Sequence, residues 1–363
     1  MKRRHFLQCG LAATMATPLM AAVSQERLDS AAAQLAKAVS SGKVTSAVLY
    51  VSQRGTSFTQ HFGQANDDAM FLLGSISKPI CVTALMTLFD QGKFRLDDPA
   101  LKYLPGFTGE GRDSVTIQHL LTHVSGLPDQ LANNNALRKS HATLEQFVEH
   151  TLRTPLEFTP GSRYQYSSMA ILLACHIAER ISGTNILELV DRTILQPLKM
   201  THSALGLGRF KLEDVVPTQV EFAAPEAGGG DPTARDWDWN SSYWRKLGSP
   251  WGGVHASAAD IARYLDELMH ARGAAVKPET AKLMTRNHNP AGLVPRGLGL
   301  DVGLNSTLKV SPETFGHSGS TGTYAWADPK SDTICVVLTS LPARAMTPHP
   351  RDLASAEVAA AVS

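Results

Sequence analysis

Residues 73–80 read LGSISKPI, with Ser75 three places before Lys78 at the head of a run whose apolar positions Ile76, Ile80, Ala84, Leu85 and Leu88 recur at helical spacing. Gly92 just beyond is a C-terminal stop, so the pattern predicts a helix over 74–89, apolar nearly all round and therefore buried centrally. A lysine is out of place in such a helix unless its burial serves a purpose. Residues three apart share a helix face, which points the Ser75 hydroxyl and the Lys78 amine the same way. Serine is a poor nucleophile until something takes its proton, and lysine can do so only when neutral. At an unperturbed pKa near 10.4, about one lysine in 2500 is neutral at pH 7, so burial must lower that value. Ser-x-x-Lys alone is a weak signal, and its apolar flanks strengthen it.

Working outward, 26–40 reads as a helix. Ser46-Ala-Val-Leu-Tyr-Val-Ser52 and Thr56-Ser-Phe-Thr-Gln-His-Phe62 read as two strands of an antiparallel hairpin turning at Gln53-Arg54-Gly55. From Leu96 to about 270 helical segments (116–122, 143–153, 169–181, 185–195, 257–269) alternate with loops bearing Pro and Gly. The stretch 223–251, rich in Gly, Asp and Trp, lacks periodicity and reads as a long loop. Strand signals return at 297–304, 313–318, 322–327 and 333–340. No tandem repeat or low-complexity tract is present. Strands, a central helix, many helices and then strands again describe an α+β sheet domain interrupted by a helical one.

The chain of 363 residues is 43% hydrophobic and 18% charged, enough to bury a sizeable core. Its 34 basic residues nearly balance its 33 acidic ones, and no basic run lies beyond the first four residues, which argues against a nucleic-acid partner and for a small-molecule ligand. The start, MKRRHFLQCGLAATMATPLMAAVSQE, has a basic head, a short apolar core and small residues, the pattern of an export signal cleaved near Ala22 to Ser24. Arg3-Arg4 before Phe6-Leu7 resembles the twin-arginine type. The apolar run is too short to span a bilayer, so no stable membrane span is expected after cleavage, and the mature protein is expected to be periplasmic or secreted. Cys81, Cys175 and Cys335 lie in apolar segments and read as buried free thiols.

Two further stretches matter. Pro160-Gly-Ser-Arg-Tyr-Gln-Tyr166-Ser-Ser168 runs into an apolar helix and places Tyr166 on the loop before it, with Ser167 or Ser168 as N-cap. Such a tyrosine is either a packing ring or a proton relay. Phe315-Gly-His317-Ser318-Gly319-Ser320-Thr-Gly322 is a strand interrupted by small residues, which marks a close approach of ligand to backbone or a tight hairpin turn.

Together, Ser75-Ile-Ser-Lys78, Tyr166-Ser-Ser168 and His317-Ser-Gly319 resemble the three ordered motifs of the serine β-lactamase and penicillin-binding superfamily. The tyrosine of the second motif brings the chain nearest to class C β-lactamases, D-aminopeptidases and β-lactamase-type carboxylesterases. The stretches 92–99, 120–126 and 252–260 are similar to that family too, and the likeness covers roughly Leu28 to Pro342.

The resemblance implies a β-lactamase/transpeptidase-like fold, an antiparallel sheet flanked by helices with an inserted all-helical domain. The expected division is a signal at 1–24, a domain at 25–341 (sheet part about 25–80 and 271–341, helical insertion about 95–270) and a C-terminal tail at 342–363. It also implies a serine hydrolase in which Ser75 attacks a carbonyl and becomes an acyl-enzyme, with Lys78 and Tyr166 sharing the role of base. The backbone N–H groups of Ser75 and Ser320 would form the oxyanion hole, one such donor being worth about 100-fold or more in rate. Ser168, His317, Ser318 and Gly319 would bind substrate, an ester, amide or lactam.

Two positions depart from the family. Ser168 stands where asparagine is usual, and a shorter hydroxyl replaces one hydrogen bond without reaching both the lysine and a substrate amide. His317 stands for lysine and offers a weaker, pH-dependent positive charge to a substrate carboxylate. Both fit an esterase or D-peptidase better than an efficient β-lactamase, so an ester or a D-amino acid amide or peptide is the expected substrate, with a β-lactamase or D-alanyl carboxypeptidase as the alternative. The same fold also serves as a non-hydrolytic penicillin-binding or sensing protein, the reading of another class.

No metal or other cofactor is expected. His119 and His123 have a zinc-compatible i, i+4 spacing, but no glutamate follows His119 and no third ligand accompanies them. Nor does any nucleotide-binding glycine motif occur. Glu145, Glu149 and Arg153 read as a solvated helix face. Trp237, Trp239, Tyr243, Trp244 and Trp251 either line the mouth of a pocket or pack a loop.

Overall fold

The computed structural model describes residues 24–304 and 308–362, so the export signal expected at 1–24 lies, except for Ser24, outside the described residues. Ser24 caps α1 (Gln25–Ser40), its hydroxyl accepting the Arg27 N–H. Strands β1 (Ser46–Gln53) and β2 (Thr56–Gly63) form the expected hairpin. Its turn residues Arg54 and Gly55 both have positive φ, the conformation a two-residue hairpin with native twist requires.

After the short β3 (Phe71–Leu72), a single turn of tight helix at Gly74–Ile76 leads into α2 (Ser77–Asp90), buried from Ser77 through Leu88. The helical region follows with α3 (Ile117–Leu121), α4 (Asn134–Lys139), α5 (Leu144–Leu152), α6 (Ser168–Ser182), α7 (Ile186–Val190) and α8 (Ser242–Leu247). It also carries two strands that sequence patterning missed, β4 (Ser203–Leu205) and β5 (Val254–Ala256), which join β3 in a three-stranded antiparallel sheet. Three-residue strands are too short to show alternation. Helices α9 (Ala258–His270) and α10 (Pro278–Met284) precede β6 (Asp301–Val302), β7 (Phe315–Gly319), β8 (Thr323–Asp328) and β9 (Thr333–Thr339). The strand expected at 297–304 shrinks to β6 because Gly299 and Gly303 take left-handed conformations on either side of it. A last helix, α11 (Pro350–Val362), lies within the stretch set apart as a tail.

The main sheet has the order β2-β1-β9-β8-β7-β6 and is antiparallel throughout. The N-terminal β1 thus pairs with the C-terminal β9, and everything between is the excursion that builds the helical region. Side-chain alternation gives each face its own core. Ala47, Leu49, Val51, Trp326, Cys335 and Val337 point into one core with α1 and α11. Val48, Ala325, Ala327, Ile334, Val336 and Leu338 point into the other with α2, α6 and α9. Helix α9 packs on β1, β8 and β9, so it serves the sheet rather than the helical region around 95–270. The three cysteines among the described residues are free and buried, as their apolar settings predicted.

Val358 of α11 is fully buried in the first of these cores. Val358→Asp should therefore cost about 3 kcal/mol, because a carboxylate there has no partner. Urea unfolding is the measurement, and an unchanged midpoint would mean that α11 does not dock on the sheet.

Candidate active site

The site forms where the Gly74–Ile76 turn meets the end of β7. Gly74 sits at φ +57°, and a Cβ there would lie 3.1 Å from Ser320 N and 2.9 Å from the Thr321 hydroxyl. A Cβ on Gly319 would lie 2.1 Å from Leu73 O. Glycine at both positions lets the two backbones touch. The contact is fastened by hydrogen bonds from the Thr321 hydroxyl to Leu72 O (2.6 Å) and from the Thr323 hydroxyl to Leu73 O (2.7 Å). Ser75 lies in the first helical turn, whose N–H groups have no acceptor one turn back. Ser320 N–H likewise has no acceptor among the described residues. The backbone segments that carry the two N–H groups expected to hold an oxyanion are thus brought into contact.

Lys78 is 1% exposed, and its amine donates to Ser75 Oγ (3.0 Å) and to Trp251 O (2.9 Å). Desolvation by burial lowers its pKa to about 7, opposed by the negative charge of Asp129 and assisted by the positive charge of Arg296. The amine also lies 4.7 Å from the centre of the Tyr166 ring. Burial pushes the Tyr166 phenol well above its ordinary value, with Ser75 and Arg296 pulling weakly the other way. Tyr166 therefore stays a neutral, protonated phenol at neutral pH, and of the two expected bases only Lys78 has its deprotonated form in quantity.

Ser167, not Ser168, caps α6, accepting the Ala170 N–H at 3.0 Å. Ser168 is buried, and both its N–H (2.8 Å) and its hydroxyl (2.6 Å) donate to Asp129 Oδ1. Its hydroxyl is thus spent on an exposed carboxylate rather than on Lys78.

His317 is buried, and its Nδ1 lies 2.8 Å from Ser318 O, which assigns the proton to Nδ1. Desolvation first, then Arg296 and Lys78, hold its pKa well below the ordinary histidine value. The expectation of a pH-dependent positive charge on His317 is therefore corrected: the ring is neutral. The cation on this side is Arg296, itself buried and paired with Asp301.

Sequence reasoning missed three residues here. His123 is buried with φ +60°, and its ring lies 4.5 Å from that of Tyr166. Its carbonyl accepts the Gln165 N–H (2.9 Å) and its Nδ1 accepts the Ser167 N–H (3.1 Å), so both chain neighbours of Tyr166 are tied to one residue. The signal lies in the 120–126 stretch, which is similar to the family but in which the spacing of His119 and His123 suggests only a zinc site. His119 instead closes a capping box with Thr116. Asp129 and Arg296 sit on irregular loops, where no periodicity marks a residue as buried or aimed.

A cavity of about 180 Å³ opens in front of Ser75, bounded by Asp129, Tyr166 and Ser168 on one side and by Trp239, Trp244 and Trp251 on the other. The stretch 223–251 is thus a wall of the cavity, and it is more regular than its composition predicted. Ser241 caps α8 and Gly248 ends it in the left-handed conformation, a six-residue helix too short to show a period. Arg138 of α4 stacks on Trp244, its guanidinium carbon 3.5 Å from the ring centre, and donates to Glu226 O, pinning the wall in place.

An antiparallel sheet interrupted by a helical region, with a serine and lysine at their junction, defines the α+β fold class of β-lactamases and penicillin-binding proteins. The chain belongs to the Beta-lactamase family, whose model matches residues 20–360. It is 30% identical over 287 residues to an Escherichia coli K12 protein described as "Putative D-alanyl-D-alanine carboxypeptidase", a match covering 71% of this chain and 66%, just under two thirds, of that one. It is 29% identical over 308 residues to esterase EstB of Burkholderia gladioli, covering 77% of each. Among solved structures, EstCE1, a hydrolase with promiscuous acyltransferase activity, superposes with a TM-score of 0.75 at 21% identity, covering 93% of this chain and 98% of that one. A penicillin-binding protein homologue from Caulobacter crescentus gives 0.74 at 20% identity, covering 94% and 99%. At such identities the structural likeness speaks for the fold alone.

Titration of Lys78 by nitrogen NMR in 15N-lysine protein should give a midpoint of about 7. Asp129→Asn should lower it further, because it removes a negative charge that favours the ammonium form. A midpoint near the free-lysine value of about 10.4 would refute the assignment of a largely neutral amine.

Proposed function

We propose that the protein is an exported serine hydrolase that acts through a Ser75 acyl-enzyme on an ester or a D-amino acid amide or peptide. The observation that carries this reading is the hydrogen bond from a buried Lys78, its pKa near 7, to the Ser75 hydroxyl. Neutral Lys78 takes the Ser75 proton as Oγ bonds to the substrate carbonyl, and the oxyanion is held by Ser75 N–H and Ser320 N–H. The proton then passes to the leaving oxygen or nitrogen, with the protonated Tyr166 phenol as a donor beside it, and the scissile bond breaks. Water attacks the acyl-enzyme by the same route and releases the acid.

The preference for an ester or amide over a β-lactam or a peptide ending in a free carboxylate rests on charge. Such substrates present a carboxylate to the third motif, where His317 is neutral and Arg296 is already paired with Asp301. The relative named as an esterase supports the ester branch, whereas the one named as a carboxypeptidase points to the alternative, a peptide ending in a free carboxylate. Export is proposed on the basic, twin-arginine-like start alone, with a mature chain beginning near Ser24.

Purified protein should show burst hydrolysis of a p-nitrophenyl ester, and Ser75→Ala should abolish it; equal rates in the two would sink the nucleophile assignment. Since the neutral amine is the base, kcat/KM should rise with pH to a plateau, half-maximal at about 7. A panel of short-chain esters, D-alanyl amides and a chromogenic cephalosporin, read by mass spectrometry for the adduct on Ser75, chooses the branch. A stable lactam adduct without turnover would favour the binding protein instead.

A further inference from the structure

Helix α11 begins with a cation in an unfavourable place. Arg351 is its second residue and only 8% exposed, although the first turn of a helix favours anions. The side chain is anchored at both ends of the turn that joins β7 to β8. Its Nη1 donates to Gly319 O and to Thr323 O, the latter at 2.8 Å, and these residues are directly paired across the two strands. Its Nε donates to the half-exposed Asp352 carboxylate at 3.2 Å.

Gly319 O belongs to the same peptide unit as Ser320 N–H. A charged donor on a carbonyl draws electron density from the nitrogen across that peptide and makes its N–H a stronger donor, by roughly 10–30% per bond. The same unit is steadied by Gly322 N–H donating to Gly319 O (3.1 Å), and the next one by Ala343 N–H donating to Ser320 O (2.9 Å). The plane carrying Ser320 N–H is therefore held by the segment that follows β9, far from the three motifs in sequence.

We propose that Arg351 is a positioning residue for the oxyanion hole: its guanidinium fixes and polarises the Gly319–Ser320 peptide, so that Ser320 N–H is aimed and strengthened for charge developing beside Ser75. The catalytic part of this inference rests on Ser75 being the nucleophile, and the peptide contact does not. The C-terminal helix is then part of the active-site machinery as well as a cover for the sheet.

The chain contains four Gly-Ser pairs, at 74–75, 161–162, 248–249 and 319–320, and two of them are the oxyanion peptides. Protein carrying 13C-carbonyl glycine and 15N serine therefore reports these four peptides alone in a carbonyl-to-amide NMR correlation. In Arg351→Met the 319–320 signal should move upfield in both carbonyl carbon and amide nitrogen, while 161–162 and 248–249 stay. Ester turnover should fall about tenfold in kcat with KM nearly unchanged, as for loss of an interaction made in the transition state, and Arg351→Lys should recover part of it. Arg351→Gln, which keeps the stem and a donor, carries the same test if the methionine variant does not fold. An unmoved 319–320 signal, or a loss expressed only in KM, overturns the proposal. A parent protein without turnover would sink the Ser75 reading instead, and the label would still decide the contact.

Discussion

The site depends on how one amine is buried. Lys78 is enclosed between Ser75 Oγ and Trp251 O, with the Tyr166 ring beside it, and among the described residues no carboxylate is hydrogen-bonded to it. Burying an ammonium without a direct counter-ion is expensive enough that the group gives up part of its charge instead. Two charges set how far this goes: Asp129 at the mouth restores some of the ammonium form, and Arg296 behind Tyr166 opposes it. Everything around the amine can be read as conditions on that balance. Helix α2 must be apolar to desolvate it, β5 must follow closely enough on Trp251 to present a carbonyl, and His123 must hold Tyr166 in place. In the same neighbourhood His123 and His317 are kept neutral, so that neither adds a further charge.

A second constraint is the close approach of two backbones. The Leu73–Ser75 turn and the β7–β8 turn come from opposite ends of the chain, and their contact exists only because Gly74 and Gly319 lack side chains. Threonine hydroxyls from β8 and the turn before it donate to the carbonyls of Leu72 and Leu73, so the sheet and the helix that begins after Ser75 are fastened together. A hairpin turn is ordinarily a mobile element. Here it is tied from inside by Leu72 and Leu73 and from outside by Arg351 and Ala343.

What was legible in the sequence follows the range of each signal. The long periodic elements, α1, α2, α6, α9 and the β1–β2 hairpin, could be read because a buried face repeats along them several times. Ser75, Lys78 and Tyr166 could be read as motifs because each adjoins such an element, and His317 because glycines flank it in a short strand. By contrast β4, β5 and α8 are shorter than the period that would announce them. Asp129 and Arg296 act through space from loops, and their meaning appears only when the Pro128–Gln130 bend and the strand at Asp301 are brought to Tyr166. The charge state of His317 was unreadable for a related reason. Nothing in HSG says that an arginine from 21 residues upstream lies against the imidazole, Nη2 to Nε2 at 3.5 Å.

The exchange of asparagine for serine in the second motif takes on a different meaning once Asp129 is in view. Read alone, Ser168 is a shortened side chain that leaves a gap beside Lys78. In the structure the hydroxyl and N–H of Ser168 both bind Oδ1 of Asp129, which aims a carboxylate across the space in front of Ser75. An amide at this place is neutral and can serve donor and acceptor alike, whereas a carboxylate accepts only and carries charge. The exchange therefore alters the polarity of the cavity and the basicity of Lys78 together, because the same charge that faces the substrate raises the lysine's pKa. An acyl group bearing a donor or an ammonium would find a partner there, and one bearing an anion would be repelled. Nor does the third motif offset that repulsion, since the cation against His317, Arg296, is already paired with Asp301. The two departures from the family pattern thus act in one direction: both make the charge in front of Ser75 less favourable to an anion.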